Sequence, residues 1–225
     1  MSMDSKVKLE VGQTVELEMK NGGIILNYPS NIEALDRSSI QVATPMWAGR
    51  PVVLATGQRL TVYFRLDRKA WSFASEVIGK QQGREKPVTV LKQPKLIQEI
   101  GQQRYFPLDV QMTPDRLFIL DERMGATKVN NVVIRRISGS EITLSSPDSL
   151  DVGANIKLEF KLPNRQTPII AMGQVMSVRP ERVQGQFVFN MNVILVRVSY
   201  ADREAIIHHV LQGQAAAVRQ QKFTG

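Results

Sequence analysis

Along most of this chain apolar and polar side chains alternate with period two, the spacing of a half-buried β-strand. Thr14-Val15-Glu16-Leu17-Glu18-Met19 sets the pattern, and Asn21-Gly22-Gly23 breaks it. Residues 32–35 and 39–43 predict short strands around an Asp36-Arg37 turn, and residues 45–51 predict a proline-bounded loop. Residues 58–66 and 70–78 flank Asp67-Arg68-Lys69 and predict a hairpin, which residues 87–91 follow as a closing strand. The first half therefore predicts a small, strongly bent β-domain.

Residues 92–101 form a joint. Gln93-Pro94 favours extended backbone, and residues 95–100 fit either one turn of helix or plain linker. The second half returns to strands, at residues 105–111, 116–121, 129–137, 141–144, 155–162, 169–178 and 186–198. Pro114-Asp115, Gly139, Pro147-Asp148, Pro163-Asn164 and Pro180 punctuate them. This run of short strands with regular turn signals predicts a closed antiparallel barrel. The expected fold class is all-β, two small antiparallel β-barrel domains in tandem, divided as residues 1–99 and 100–225.

The period then changes. Ser199-Tyr200-Ala201-Asp202 has the Ser-x-x-acid form of a capping box, and Ile206, Ile207, Val210 and Leu211 follow at helical spacing. A helix is expected from about residue 200 to 212, its apolar face closing one end of the barrel. Gly213 either caps it or lets it run on through Ala215-Ala216-Ala217.

Composition narrows the chemistry. The 225 residues are 43% hydrophobic and 22% charged, enough for packed cores. The formal charge of +8 is evenly spread. Residues 1–99 hold 14 Lys/Arg against 10 Asp/Glu and residues 100–225 hold 15 against 11, so each half is +4. An even split with 6% aromatic residues does not predict a nucleic-acid stacking platform, so nucleic acid is not an expected partner. The absence of cysteine excludes disulfides, thiolate catalysis and sulfur-ligated zinc. Residues 1–10 lack the apolar stretch of a signal peptide, and no window reaches the length of a transmembrane helix. A cytoplasmic location is the expectation. His208 and His209 are adjacent, not i, i+4, so no metal site is expected. No Gly-x-Ser-x-Gly element or P-loop is present, and the chain is not expected to be an enzyme.

Two segments carry the candidate chemistry. One is Gly101-Gln102-Gln103-Arg104-Tyr105-Phe106-Pro107 at the joint. The other is Ile134-Arg135-Arg136-Ile137-Ser138-Gly139-Ser140-Glu141-Ile142, two strands meeting at Ser-Gly-Ser. Alternation predicts opposite faces for Arg135 and Arg136, one in solvent and the other paired with an acidic side chain. A shifted set using Arg104, Arg135, Arg136 and Ser138 to clamp phosphates is the other arrangement open to them. Separately, Met46 and Trp47 lie in the proline-bounded loop and are a candidate partner contact.

The order of motifs resembles the PilZ family, in particular the YcgR-like proteins that place a bent β-domain before a PilZ barrel. Val11-Gly12-Gln13, Tyr28-Pro29-Ser30, Gln41-Val42-Ala43-Thr44-Pro45, Val62-Tyr63-Phe64 and Phe73-Ala74-Ser75-Glu76-Val77 carry the likeness in the first half. In the second half Arg104-Tyr105-Phe106, Ile137-Ser138, Val152-Gly153, Ile156-Lys157-Leu158-Glu159-Phe160 and Asp202-Arg203-Glu204-Ala205-Ile206-Ile207 carry it. The resemblance implies a regulatory protein of cyclic di-GMP signalling and flagellar motility, with a protein partner such as a flagellar motor component and recruitment to the basal body.

The family binds cyclic di-GMP through an Arg-x-x-x-Arg element, preceded by another arginine, and through Asp/Asn-x-Ser-x-x-Gly on the barrel. Here Gln102, Gln103 and Pro107 fall at the arginine positions, and Arg136 falls where an acceptor for guanine N–H belongs. Ser138 is retained, and Glu141 replaces the glycine. Each lost charged hydrogen bond is worth about 1.5–3 kcal/mol. Two arginines and one inverted acceptor then total roughly 4–8 kcal/mol, moving a micromolar site to the millimolar range or beyond. No cofactor is expected, and cyclic di-GMP is expected to be a weak ligand at most. A receptor built on the shifted arginine set is the alternative.

Overall fold

The computed structural model describes residues 7–223 except 68, 84–85, 102–105, 123–124 and 184. The chain divides into two compact units. One comprises residues 1–20 and 27–100, the other residues 21–26 and 101–225.

The first unit holds β1 (Thr14–Asn21), β2 (Ile24–Leu35), β3 (Ser39–Ala43), β4 (Met46–Trp47), β5 (Arg50–Pro51), β6 (Arg59–Leu66), β7 (Lys69–Gln82), β8 (Pro87–Lys92) and β9 (Gln98–Ile100). Pairing runs β1-β6-β7-β8-β3-β2, and β2 returns to β1, so six strands close on themselves. Val15, Leu17 and Met19 of β1 point into the core with Ile32, Ile40, Val62, Phe64 and Leu91. Removing each such side chain from water contributes about 1.5–3 kcal/mol. The alternation in β1 is real, but its polar face is covered as well. Glu16 and Glu18 are buried, Glu16 accepts a 2.7 Å hydrogen bond from Asn27 Nδ2, and Glu18 accepts one from the Tyr63 hydroxyl at 3.4 Å.

Three elements of this unit depart from the sequence expectation. The proline-bounded loop contains a two-residue ladder between β4 and β5. Residues 98–100 are neither helix nor linker but a third strand against β7, with Ala70 opposite Ile100. β2 starts directly after Gly22-Gly23, eight residues earlier than the predicted strand. Both glycines have positive φ, which turns the β1–β2 hairpin without strain.

The second unit holds β10 (Leu108–Met112), β11 (Arg116–Leu120), β12 (Ala126–Val129), β13 (Val133–Ile137), β14 (Glu141–Ser146), β15 (Asn155–Phe160), β16 (Ile169–Val183), β17 (Gln186–Ser199) and the helix α1 (Tyr200–Phe223). Its antiparallel order is β12-β11-β15-β16-β17-β14-β13-β10, curled around one core that includes Ile134, Ile137, Ile142, Leu144, Phe160 and Val193. The tip of the β1–β2 hairpin belongs to this unit. Ile24, Ile25 and Leu26 pair with Ser199, Val198 and Arg197 of β17, and Ile25 is buried in the core. The expected single strand at 129–137 is two strands, because Asn131 adopts φ 57 between them. Asparagine tolerates that left-handed conformation better than most residues.

Ser199 caps α1 as its spacing predicts, accepting from Asp202 N–H at 3.0 Å. Asp202 also takes Arg165 Nη2 at 2.6 Å. Ile206 and Val210 are fully buried in the core, while Ala215, Ala216 and Ala217 are exposed. Gly213 does not stop the helix. A Cβ there would meet the Leu108 side chain, which would have to shift to make room, so α1 passes close to β10 at this glycine. The all-β chain with a terminal helix is thus as expected, with the helix longer than residues 200–212.

Candidate functional site

The β13–β14 hairpin decides where the candidate residues point. β13 reads half-buried, buried, exposed, exposed, buried from Val133 to Ile137. Strict alternation would not expose Arg135 and Arg136 together. The register explains it: Ile134 pairs with Leu144 and Arg136 with Thr143, so two steps on β13 match one on β14. That extra residue is a β-bulge. It keeps Ile134 and Ile137 both in the core and sends both arginines outward, correcting the expectation of opposite faces.

Arg136 is nonetheless paired, as one of the two arginines was expected to be. It lies opposite Asp109 on β10, with Nε 3.0 Å from Oδ1. Arg135 has no ion pair among the described residues. Ser138 is buried, and its hydroxyl is occupied by the hairpin itself. Its Oγ accepts from Glu141 N–H at 3.0 Å and Ser140 N–H at 3.4 Å, and its hydroxyl donates to Glu141 O at 3.1 Å. This is a side-chain turn of the kind serine favours. Glu141, half-buried, pairs with Ile194 across β17.

Both arginines line a cavity of about 720 Å³ on the outer surface of the second unit. Its floor is Thr143 and Ser145 of β14, and its far wall is the β16–β17 hairpin. That wall presents Ser177, Arg179 and Glu181 from one strand and Asn190 and Asn192 from the other. These are cross-strand neighbours, Arg179 opposite Asn190 and Ser177 opposite Asn192. Several groups are already bonded: Asn190 Nδ2 donates to Glu181 Oε2 at 2.5 Å, and the Thr143 hydroxyl donates to Asn192 Oδ1 at 3.0 Å. Three arginines, two carboxylates and a row of amides and hydroxyls make a polar surface with a small positive excess.

The structure therefore gathers Arg135 and Arg136 but not the whole expected set. Ser138, Glu141 and Pro107 do not line the cavity. Gln103 and Arg104 lie outside the described residues. Asp109, Arg179, Asn190 and Asn192 were not singled out from the sequence. Their only signal is polar residues spaced two apart on adjacent strands, which is also the signal of any solvated sheet face. Met46, exposed, and Trp47, half-buried, sit on the β4–β5 hairpin of the first unit. No group of three or more metal-ligating side chains occurs among the described residues, and no helix there is long and apolar enough to cross a membrane. His208 is exposed and hydrogen-bonds Gln212 at 3.5 Å. Burial holds the His209 imidazole below the ordinary histidine value.

No curated protein matches the chain. Among solved structures it is similar to the Bacillus subtilis inhibitor of motility MotI/DgrA, at 19% identity over 92% of this chain and 99% of that one, with a TM-score of 0.41. Apo MrkH of K. pneumonia is 14% identical over 93% and 88%, with a TM-score of 0.49. YcgR of Escherichia coli, solved in complex with c-di-GMP, is 12% identical over 95% and 89%, with a TM-score of 0.38. Residues 10–94 match the family model PilZNR, described as flagellar protein YcgR. That match covers the N-terminal part of the chain, which is similar in sequence to the corresponding part of YcgR.

Proposed function

We propose that this protein is a non-enzymatic regulator of flagellar motility and cyclic di-GMP signalling that works through contact with a protein partner and binds cyclic di-GMP weakly or not at all. The proposal rests on Arg136. At the position where the family pattern needs an acceptor for guanine N–H groups, the chain carries a donor, and that donor is bonded to Asp109. The neighbouring positions support it. Ser138 spends its hydroxyl on its own turn, Pro107 offers neither charge nor N–H, and Glu141 adds a negative charge beside an anionic ligand. With that ligand weakened, the protein partner, a flagellar motor component on this reading, becomes the main recognition event, and the protein is cytoplasmic until recruited to the basal body. Met46 and Trp47 are the proposed contact.

One observation favours a second reading, a cyclic di-GMP receptor with a shifted arginine set. The bulge at Arg135 brings Arg135 and Arg136 to one face, across the cavity from Arg179. Titration of cyclic di-GMP into the Arg136→Asp variant and the wild type separates the two. The proposal expects no saturable binding by either chain, whereas the second reading requires binding by the wild type that the substitution abolishes.

A further inference from the structure

Within the first unit, the edge of β7 has a gap. On one side β6 pairs with it along Lys69–Glu76. On the other side β9 covers Ala70, Trp71 and Ser72, and β8 takes over only from Val77. The segment joining β8 to β9 leaves the ladder between them. Gln93 turns toward the β2–β3 connection, its N–H donating to Ser38 O at 3.1 Å and its side-chain amide to Asp36 O at 2.6 Å. Phe73, Ala74 and Ser75 are left without a strand on that side among the described residues, and Glu76 meets only Lys92 at the very end of β8.

A cavity of about 440 Å³ opens there, and it touches all four of these consecutive residues. A pocket on the face of a strand meets every second residue, because successive side chains point to opposite faces. Contact with four in a row places this cavity along the strand's edge. The hydrogen bonds say which main-chain groups it meets. Val77 N–H donates to Gln58 O at 2.9 Å and Val77 O accepts from Gly57 N–H at 2.8 Å, so Val77 directs both groups away from the gap. In an antiparallel strand these directions alternate. Ser75 and Phe73 therefore point the same way as Val77, whereas Ala74 aims both N–H and C=O into the gap and Glu76 aims its N–H there, its C=O facing Lys92 across the Val77–Leu91 pairing. The Ser75 hydroxyl donates to Lys92 O at 2.7 Å, closing the end of β8 and bounding the slot.

The surroundings select the occupant. Phe73 is a buried apolar floor, and Leu96, 69% exposed, stands at the rim. Arg59, Lys92 and Lys95 supply three positive charges against the single carboxylate of Glu76, which lies opposite Arg59 in the ladder. Unpaired main-chain groups take an extended chain, an apolar floor takes alternate apolar side chains, and a positive rim takes carboxylates. We infer that this slot is a strand-addition site for an extended acidic segment of a protein partner, held by main-chain hydrogen bonds to Ala74 and to the Glu76 N–H and by carboxylates on Lys92 and Lys95.

The slot is built from residues of the first unit alone and shares none with the polar cavity around Arg136, so this inference stands whether or not cyclic di-GMP binds. Its test is an NMR titration of the full chain with the blocked peptide Asp-Val-Glu-Val-Asp, using Lys-Val-Lys-Val-Lys as control. The expected result is saturable binding of the acidic peptide alone, amide shifts concentrated at residues 73–76 and 92–98, and at least about tenfold weaker affinity for Lys92→Glu/Lys95→Glu. No saturation by about 1 mM, or equal affinity in the double variant, overturns it. A concentration-dependent dimer of the free chain that the same double variant dissolves assigns the slot to a second copy and also overturns it.

Discussion

Arg136 and Asp109 face each other across the β10–β13 ladder, with guanidinium Nε 3.0 Å from carboxylate Oδ1. Both side chains are more than half exposed, so the pair adds little to stability, but it fixes which charge the hairpin shows. Arg136→Asp puts two carboxylates opposite one another and is expected to destabilise the fold by about 0.2–1 kcal/mol. Exchanging the two residues, Asp109→Arg with Arg136→Asp, is expected to recover most of that loss in urea unfolding. Failure of the exchange to recover stability means the pair does not form in solution.

Ser138 is expected to report on the fold and not on a ligand. Ser138→Ala removes the acceptor of the Glu141 and Ser140 N–H groups inside a buried turn. The expected cost is about 1–3 kcal/mol, read as a lower urea midpoint with unchanged slope. A variant as stable as the wild type contradicts the structural role given to this hydroxyl.

Gly173 is expected to tolerate no side chain. A Cβ there would meet Val193 Cγ1 and lie 2.9 Å from the backbone oxygen of Ile194, which cannot swing aside as a side-chain tip can. Gly173→Ala is expected to cost about 1–3 kcal/mol by overpacking. Thermal unfolding checks it, and an unchanged midpoint refutes the close approach.

His209 gives the stability a pH dependence of known sign. Burial holds its imidazole below the ordinary value of 6.5. Below that pH the unfolded chain takes up the proton before the folded one does, so stability is complete above 6.5 and is lost as pH falls toward the depressed folded value. Between about pH 7 and about pH 5.5 the wild type is expected to lose more stability than His209→Gln. Parallel pH profiles for the two chains would remove His209 as the cause.

Most strands were legible because alternation is a repeated signal, and α1 because Ser199, Asp202 and the 206/210 spacing agree with one another. What escaped depends on single residues or distant partners. The bulge at Arg135 is one extra residue, and Arg-Arg in a strand looks the same with or without it. Residues 98–100 become a strand only because β7 offers an edge, which a local pattern cannot reveal. Gly213 reads locally as a helix stop, but the helix runs on through it, packed close to Leu108, far away in sequence. The candidate site was legible in part for the same reason. Arg135 and Arg136 stand out locally, whereas Arg179, Asn190 and Asn192 join them only through the pairing of β16 with β17.

The central claim is that the Arg136 hairpin resembles the family's nucleotide-binding element without serving as a nucleotide site. Isothermal titration of cyclic di-GMP into the intact wild-type chain at tens of micromolar tests it most directly. The predicted result is no saturable heat, as expected of a site weakened by roughly 4–8 kcal/mol from the micromolar range. A saturable isotherm with low-micromolar Kd, abolished by Arg136→Asp, would contradict it.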